Sequence, residues 1–195
     1  MPRSQLTPFE HVLLGMIFIR PSSGYDLKRR FATSPMGVYQ PSSGTLYPAL
    51  DRLERRGLLR SETLRPAAGG RPRRLYRLTA DGRQAHLGWV REPVRPETVG
   101  QDLGMHLLRF VMMADVLPAG EVLGFLASLR TALAGFVATL EQAAAGPDVT
   151  ASPAARLAVA HGLAVHRASL AWTGQAISTL AGANDPSLRL AMDRK

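Results

Sequence analysis

Within its first sixty residues the chain opens and closes three helices, and the residues that do so narrow what the rest can be. Thr7-Pro8-Phe9-Glu10 places a hydroxyl at the N-cap, a proline at the first helical position and a carboxylate three residues on, able to reach back to the cap. Phe9, Val12, Leu13, Met16 and Ile17 then keep one face apolar until Arg20-Pro21 stops the helix. Ser22 or Ser23 can cap a second, short helix from Gly24 to Phe31 with Tyr25, Leu27 and Phe31 as apolar anchors. After Pro41, Ser42 or Ser43 opens a third helix whose Leu46, Leu50 and Leu53 form its buried stripe, and Gly57 is its natural stop.

Leu58 to Leu64 and Arg73 to Thr79 read as strands around the turn-rich stretch from Pro66 to Pro72, a hairpin with a basic tip. A fourth helix follows from Thr79-Ala80-Asp81-Gly82 to about Val90, and Pro93 and Pro96 mark a linker. Three helices, a hairpin and a further helix are the order of a winged helix-turn-helix, whose third helix enters the major groove of DNA. Charge points the same way. Residues 1–86 carry 15 lysines and arginines against 6 aspartates and glutamates, while residues 87–195 carry 9 of each. The whole net charge of +9 therefore lies in the first half, the electrostatic footprint of a polyanion-binding domain joined to a neutral one.

The expected DNA contacts follow from that arrangement. Ser42, Ser43, Thr45, Tyr47 and Pro48 lie near the start of the third helix, where hydroxyls and open amides meet phosphates or base edges; one of the hydroxyls is expected to serve as the cap. Arg52 shares the outward side of the helix, Arg71, Arg73 and Arg74 crowd the tip of the hairpin, and Lys28 and Arg29 offer phosphate contacts from the second helix.

The second half reads as helical. One helix runs from Gln101 or Asp102 to Leu117, a long one from Pro118 to about Ala145, and a last long one opens at Ser152-Pro153. Val122, Leu126, Leu129, Leu133, Phe136 and Leu140 step by four and three, as do Val159, Leu163, His166, Leu170, Thr173, Ile177 and Leu180. Those seams can close on each other as a hairpin within one chain or pair between chains; two seams on so small an appendage favour a homodimer, with Leu126, Leu129, Leu133, Phe136, Leu140, Leu163, Leu170 and Ile177 as its contacts. Trp172 reads as interface core or, with Phe110, Met112 and His161, as the wall of an effector cavity. The expected fold is thus mainly α: a winged helix-turn-helix over residues 1–92 and a helical dimerisation domain over 93–195.

Three stretches resemble the PadR family of bacterial transcription regulators: Gly24-Tyr25-Asp26-Leu27, the block from Ser43-Gly44-Thr45-Leu46-Tyr47-Pro48 to Gly57-Leu58, and Arg74-Leu75-Tyr76-Arg77-Leu78-Thr79-Ala80-Asp81-Gly82. Leu107-Leu108-Arg109-Phe110 and His166-Arg167-Ala168-Ser169-Leu170-Ala171-Trp172 are similar to the family's longer C-terminal helical domain, although Ser169 stands where an acidic residue is common and Thr173 where leucine is. The resemblance implies a dimeric repressor on a palindromic promoter site, released by a small aromatic or drug-like molecule, with Tyr47 and Pro48 facing DNA. The alternative reading is a DNA-binding activator or architectural protein that responds to no ligand.

Catalysis is the remote reading. The chain has no cysteine, which removes disulfides, thiolate metal sites and cysteine nucleophiles, and it shows no phosphate-cradling glycine loop and no nucleophile elbow. His161 and His166 are five apart, off a shared helical face, so no metal and no cofactor is expected. No secretory signal is evident at Met1-Pro2-Arg3-Ser4-Gln5-Leu6 and no apolar run is expected to reach the ~20 residues that span a bilayer, which gives a cytoplasmic expectation.

Overall fold

The computed structural model describes residues 6–33, 41–65, 72–114 and 116–183. The chain divides into two compact units, Met1–Glu92 and Pro93–Lys195. The first holds α1 (Pro8–Ile19), β1 (Ser22–Ser23), α2 (Gly24–Thr33), α3 (Ser43–Arg55), β2 (Leu59–Leu64), β3 (Arg73–Leu78) and α4 (Ala80–Val90). The fold is mainly α-helical, with the small antiparallel sheet and helix order of a winged helix.

α1 begins as its sequence dictates. Thr7 accepts a hydrogen bond from the Glu10 amide through its side chain, and its own amide donates to Glu10 Oε2 at 2.9 Å, which completes the capping box. Val12, Leu13, Leu14, Met16 and Ile17 are buried against the leucine stripe of α3, where Leu46, Leu50 and Leu53 are fully enclosed. α3 ends in a Schellman turn: Gly57, at φ 72°, donates to the Glu54 carbonyl and Leu58 to that of Leu53.

The sheet holds one strand that the sequence pattern does not reveal. Ser22 and Ser23 pair with Tyr76 and Leu75 of β3, so β3 lies between β1 and β2, with Ser61 opposite Tyr76 on the far side. Two serines carry no strand signature; tertiary pairing sets their conformation. Ser23 also caps α2 reciprocally with Asp26, which joins the sheet directly to the first turn of that helix. Gly82 is required at the start of α4, because a Cβ there would stand 2.0 Å from the Leu58 carbonyl oxygen.

α4 covers α1 with an aromatic cluster. The His11 ring stacks on Trp89 at 4.8 Å, His86 lies beside Trp89 and Phe18, and the Arg83 guanidinium sits 4.6 Å over Phe18. Burial pushes the His11 imidazole down to about 4, with the neighbouring His86 adding to the effect.

The second unit contains α5 (Pro96–Val99), α6 (Leu103–Ala114), α7 (Ala119–Ala144), α8 (Pro147–Ala151) and α9 (Pro153–Ala183). The short α5 and α8 are further elements that the proline-marked linker and break do not announce. Phe136 packs over Gly100, where a Cβ would meet its ring at 2.4 Å, and leans on His166 at 4.7 Å. α7 packs along α9 and also against α5 and α6, burying Val122, Phe125, Leu126, Leu129, Leu133 and Val137. This corrects one expectation: α7 is 26 residues long, with a stretch of mean hydropathy 1.6, so by length and composition it could cross a membrane. Its apolar character serves the packing of the unit.

Two outcomes test these contacts. Gly82→Ala is expected to lower stability by at least about 1–3 kcal/mol, read as a lower urea midpoint, since the backbone oxygen of Leu58 cannot yield cheaply. An imidazole whose folded pKa lies below its unfolded 6.5 gives stability that is complete above 6.5 and is lost as pH falls toward about 4. Unfolding at pH 7 and pH 5 should therefore differ by about 2 kcal/mol through His11, and His11→Phe, which keeps the stack on Trp89, should narrow that difference.

Candidate nucleic-acid interface

The apolar stripe of α3 faces the core, which turns its remaining residues outward. Ser42 is the N-cap, its hydroxyl accepting from the Thr45 amide at 3.2 Å and meeting Thr45 Oγ1 at 3.1 Å. Ser43 accepts a hydrogen bond from Lys28 Nζ at 3.1 Å, which brings the second helix to the start of the third. Tyr47 is 43% exposed and lies against Gly24, where any Cβ would come within 2.5 Å of its ring. Pro48 is exposed in the body of the helix; having no N–H, it leaves the Gly44 carbonyl without its i+4 donor on the outer surface. Ser42, Ser43, Thr45, Tyr47 and Pro48 are thus all exposed around the first turns of α3, beside Lys28 and an exposed Arg29. Arg30, their neighbour in sequence, turns inward and donates to the Met16 carbonyl at 3.0 Å.

Two arginines expected at DNA are occupied elsewhere. Arg52 Nε donates to Glu10 Oε1 at 3.0 Å, and Glu10 is only 3% exposed. Burial alone would push the Glu10 carboxyl up, but the Thr7 amide, Arg52 and the Thr7 hydroxyl together hold it below its ordinary value. Arg74, on β3, forks across to α3: Nη1 reaches Asp51 at 3.0 Å, Nη2 pairs with Glu54, and Nε donates to Ser61 on β2 at 2.8 Å. Ser61 in turn donates to Glu54, and the Arg74 guanidinium also covers the Tyr76 ring. Sequence reading counts both as surface cations because their acidic partners lie 42 and 23 residues away. A planar five-donor group is suited to such forks.

Arg73, one residue earlier, sits opposite Leu64 at the loop end of the wing and lies 5.6 Å over the ring of Tyr25. Arg77 pairs with Glu62 across the β2–β3 ladder at 3.0 Å. Arg71 falls outside the described residues. Tyr25, given only a core role by its spacing, is in fact 59% exposed; its position beside the cation cluster is the signal that could have found it.

In the second unit, Leu126, Leu129 and Leu133 are completely buried within one chain, so the centre of the α7 seam is satisfied internally and not held open for a second copy. Leu140 lies against Gly162, and Phe136, Leu163, Leu170 and Ile177 are half-buried along the same α7–α9 packing. The opposite face of α9 is open and apolar, with Leu157 73% exposed and Val165 also exposed, and the helix has just two charged residues, Arg156 and Arg167. Phe110 and Trp172 meet edge to face at 5.4 Å. Met112 is buried, whereas His161 is exposed about three turns from Trp172 along α9 and stands apart from them. Two hollows in this unit have volumes of about 720 Å³, beside Val94, Glu97, Thr131 and Phe136, and about 670 Å³, beside Arg130, Ala134, Leu170 and Gly174. Among the described residues no group of three or more His, Asp or Glu side chains could hold a metal.

Comparison with known proteins agrees with this architecture. Residues 13–86 match the model of the family described as transcriptional regulator PadR-like. The transcriptional regulator Rv3488 of Mycobacterium tuberculosis is 55% identical over 47 residues, 24% of this chain and 42% of that protein, so the chain spans about two-fifths of its curated relative. A PadR family transcriptional regulator of Eggerthella lenta, known from its crystal structure, is 30% identical over 42% of this chain and 70% of its own, with a TM-score of 0.35. Bacillus subtilis PadR, solved in complex with operator DNA, is 18% identical over 89% of this chain and 99% of its own, with a TM-score of 0.43. The matched segment lies within the winged helix, and the family is described as one of transcriptional regulators. The match places residues 13–86 within the PadR-like family.

The two occupied arginines should behave as structural groups. Arg52→Ala, which strands the buried Glu10, is expected to reduce stability by about 1–3 kcal/mol, and Arg55→Ala on the exposed side of α3 by less than about 0.5, as measured by urea unfolding.

Proposed function

We propose that the chain is a sequence-specific DNA-binding transcription regulator that acts as a homodimeric repressor in the cytoplasm. The observation that carries this reading is the exposed start of α3, Ser42, Ser43, Thr45, Tyr47 and Pro48, with Lys28 and Arg29 of α2 beside it and Arg73 of the wing over Tyr25 of that same helix. Hydroxyls, an aromatic hydroxyl and an open carbonyl form a mixed donor and acceptor surface suited to base edges, while the flanking cations suit phosphates. Residues 1–92 are the DNA-binding part in this reading and 93–195 the dimerisation part. The half-buried rim of the α7–α9 hairpin and the open apolar face of α9 supply surface for a second copy. Phe110 and Trp172 are the aromatic walls nearest to what a small aromatic or drug-like inducer would need.

One experiment tests the reading as a whole: sequencing of genomic fragments selected by the purified chain, with and without a panel of aromatic compounds and antibiotics. Enrichment of a palindrome whose half-site centres are about 34–36 Å apart is expected, with loss of enrichment in the presence of an inducer. Fragments retained with every compound would favour a ligand-independent DNA binder. No enrichment, or a chain that elutes as a monomer at micromolar concentration, would overturn the dimeric repressor.

A further inference from the structure

Tyr25 stands on the first turn of α2, where a large aromatic ring left 59% exposed contributes little to the core. Its surroundings give it a different use. The guanidinium of Arg73 lies over the ring at 5.6 Å, and Arg73 is the first residue of β3, paired with Leu64 at the loop end of the wing. Asp26, next in sequence, is taken up by the hydroxyl and amide of Ser23, and after those hydrogen bonds the nearby Arg73 also helps to hold its carboxyl low. Gly24, on the other side, admits the ring of Tyr47, and Lys28 one turn on reaches Ser43. α2, the start of α3 and the loop end of the wing therefore form one surface, with Arg73 as the cation between an aromatic face and a carboxylate that is already engaged.

A guanidinium at the end of a long side chain loses rotamer freedom when it is immobilised on a phosphate, and holding it in place beforehand reduces that cost. We propose that Tyr25 is a positioning residue for DNA: its ring orders Arg73 so that α2 and the wing meet the phosphate backbone as one contact. The inference rests on the DNA-binding reading above, and it assigns to Tyr25 a role that acts through Arg73.

A double-mutant cycle on the full chain tests it, with a pool of random-sequence duplexes as the probe and affinity followed against salt. Both residues are exposed, so Tyr25→Ala and Arg73→Ala should leave the unfolding midpoint unchanged. Tyr25→Ala is expected to weaken binding about twofold to fivefold, the range of an exposed cation–π contact. The double variant should be no weaker than Arg73→Ala alone, and Tyr25→Phe, which keeps the ring, should bind as the wild type does. Arg73→Ala should flatten the log–log salt slope by about 0.9 for the phosphate contact it loses. Losses that multiply in the double variant, or a Tyr25→Phe as weak as Tyr25→Ala, would overturn this inference while leaving the DNA-binding reading intact. A wild-type chain that binds no duplex overturns both.

Discussion

A carboxylate removed from water must be surrounded by donors, and the way Glu10 meets that demand sets the frame of the first unit. Its two oxygens take the Thr7 amide and hydroxyl and the Arg52 guanidinium, so one buried group closes the start of α1 and anchors the middle of α3. Leu46, Leu50 and Leu53 press the same two helices together without direction, as apolar contacts do. The ion pair supplies the direction. It fixes the rotation of α3 about its own axis, and that rotation decides that Ser43, Thr45 and Tyr47 face outward.

The other side of α3 is held in a matching manner. Arg74 joins Asp51 and Glu54 of the helix to Ser61 of β2, and so sets the distance from helix to wing. Between these two anchors the exposed face of α3 is flanked by elements whose positions are also fixed, α2 through Ser23 and Asp26 and the wing through its three-stranded sheet. Rigid support beneath a polar surface is what specific recognition requires.

Much of this was legible in the sequence because it is local. A capping box, a Schellman glycine and a leucine stripe each operate within a few residues, and each appears where Thr7, Gly57 and Leu46 place it. What was not legible depends on distance along the chain. No spacing rule links Arg52 to Glu10 or Arg74 to Asp51, so both arginines read as surface cations. Ser22 and Ser23 become a strand only because β3 lies beside them. The seams of α7 and α9 show the same division: periodicity identifies an apolar face, and only the tertiary packing reveals that Leu126, Leu129 and Leu133 are covered within their own chain.

The fork at Arg74 has a further consequence for any measurement made in salt. Its pairs with Asp51 and Glu54 are partly open to solvent, so mobile ions reach and weaken them. Ionic strength then acts on the protein itself, loosening the spacing of wing and helix and unmasking two carboxylates on α3. Part of the apparent ion dependence of such a protein would therefore be a conformational property of its own surface, present before any DNA is added.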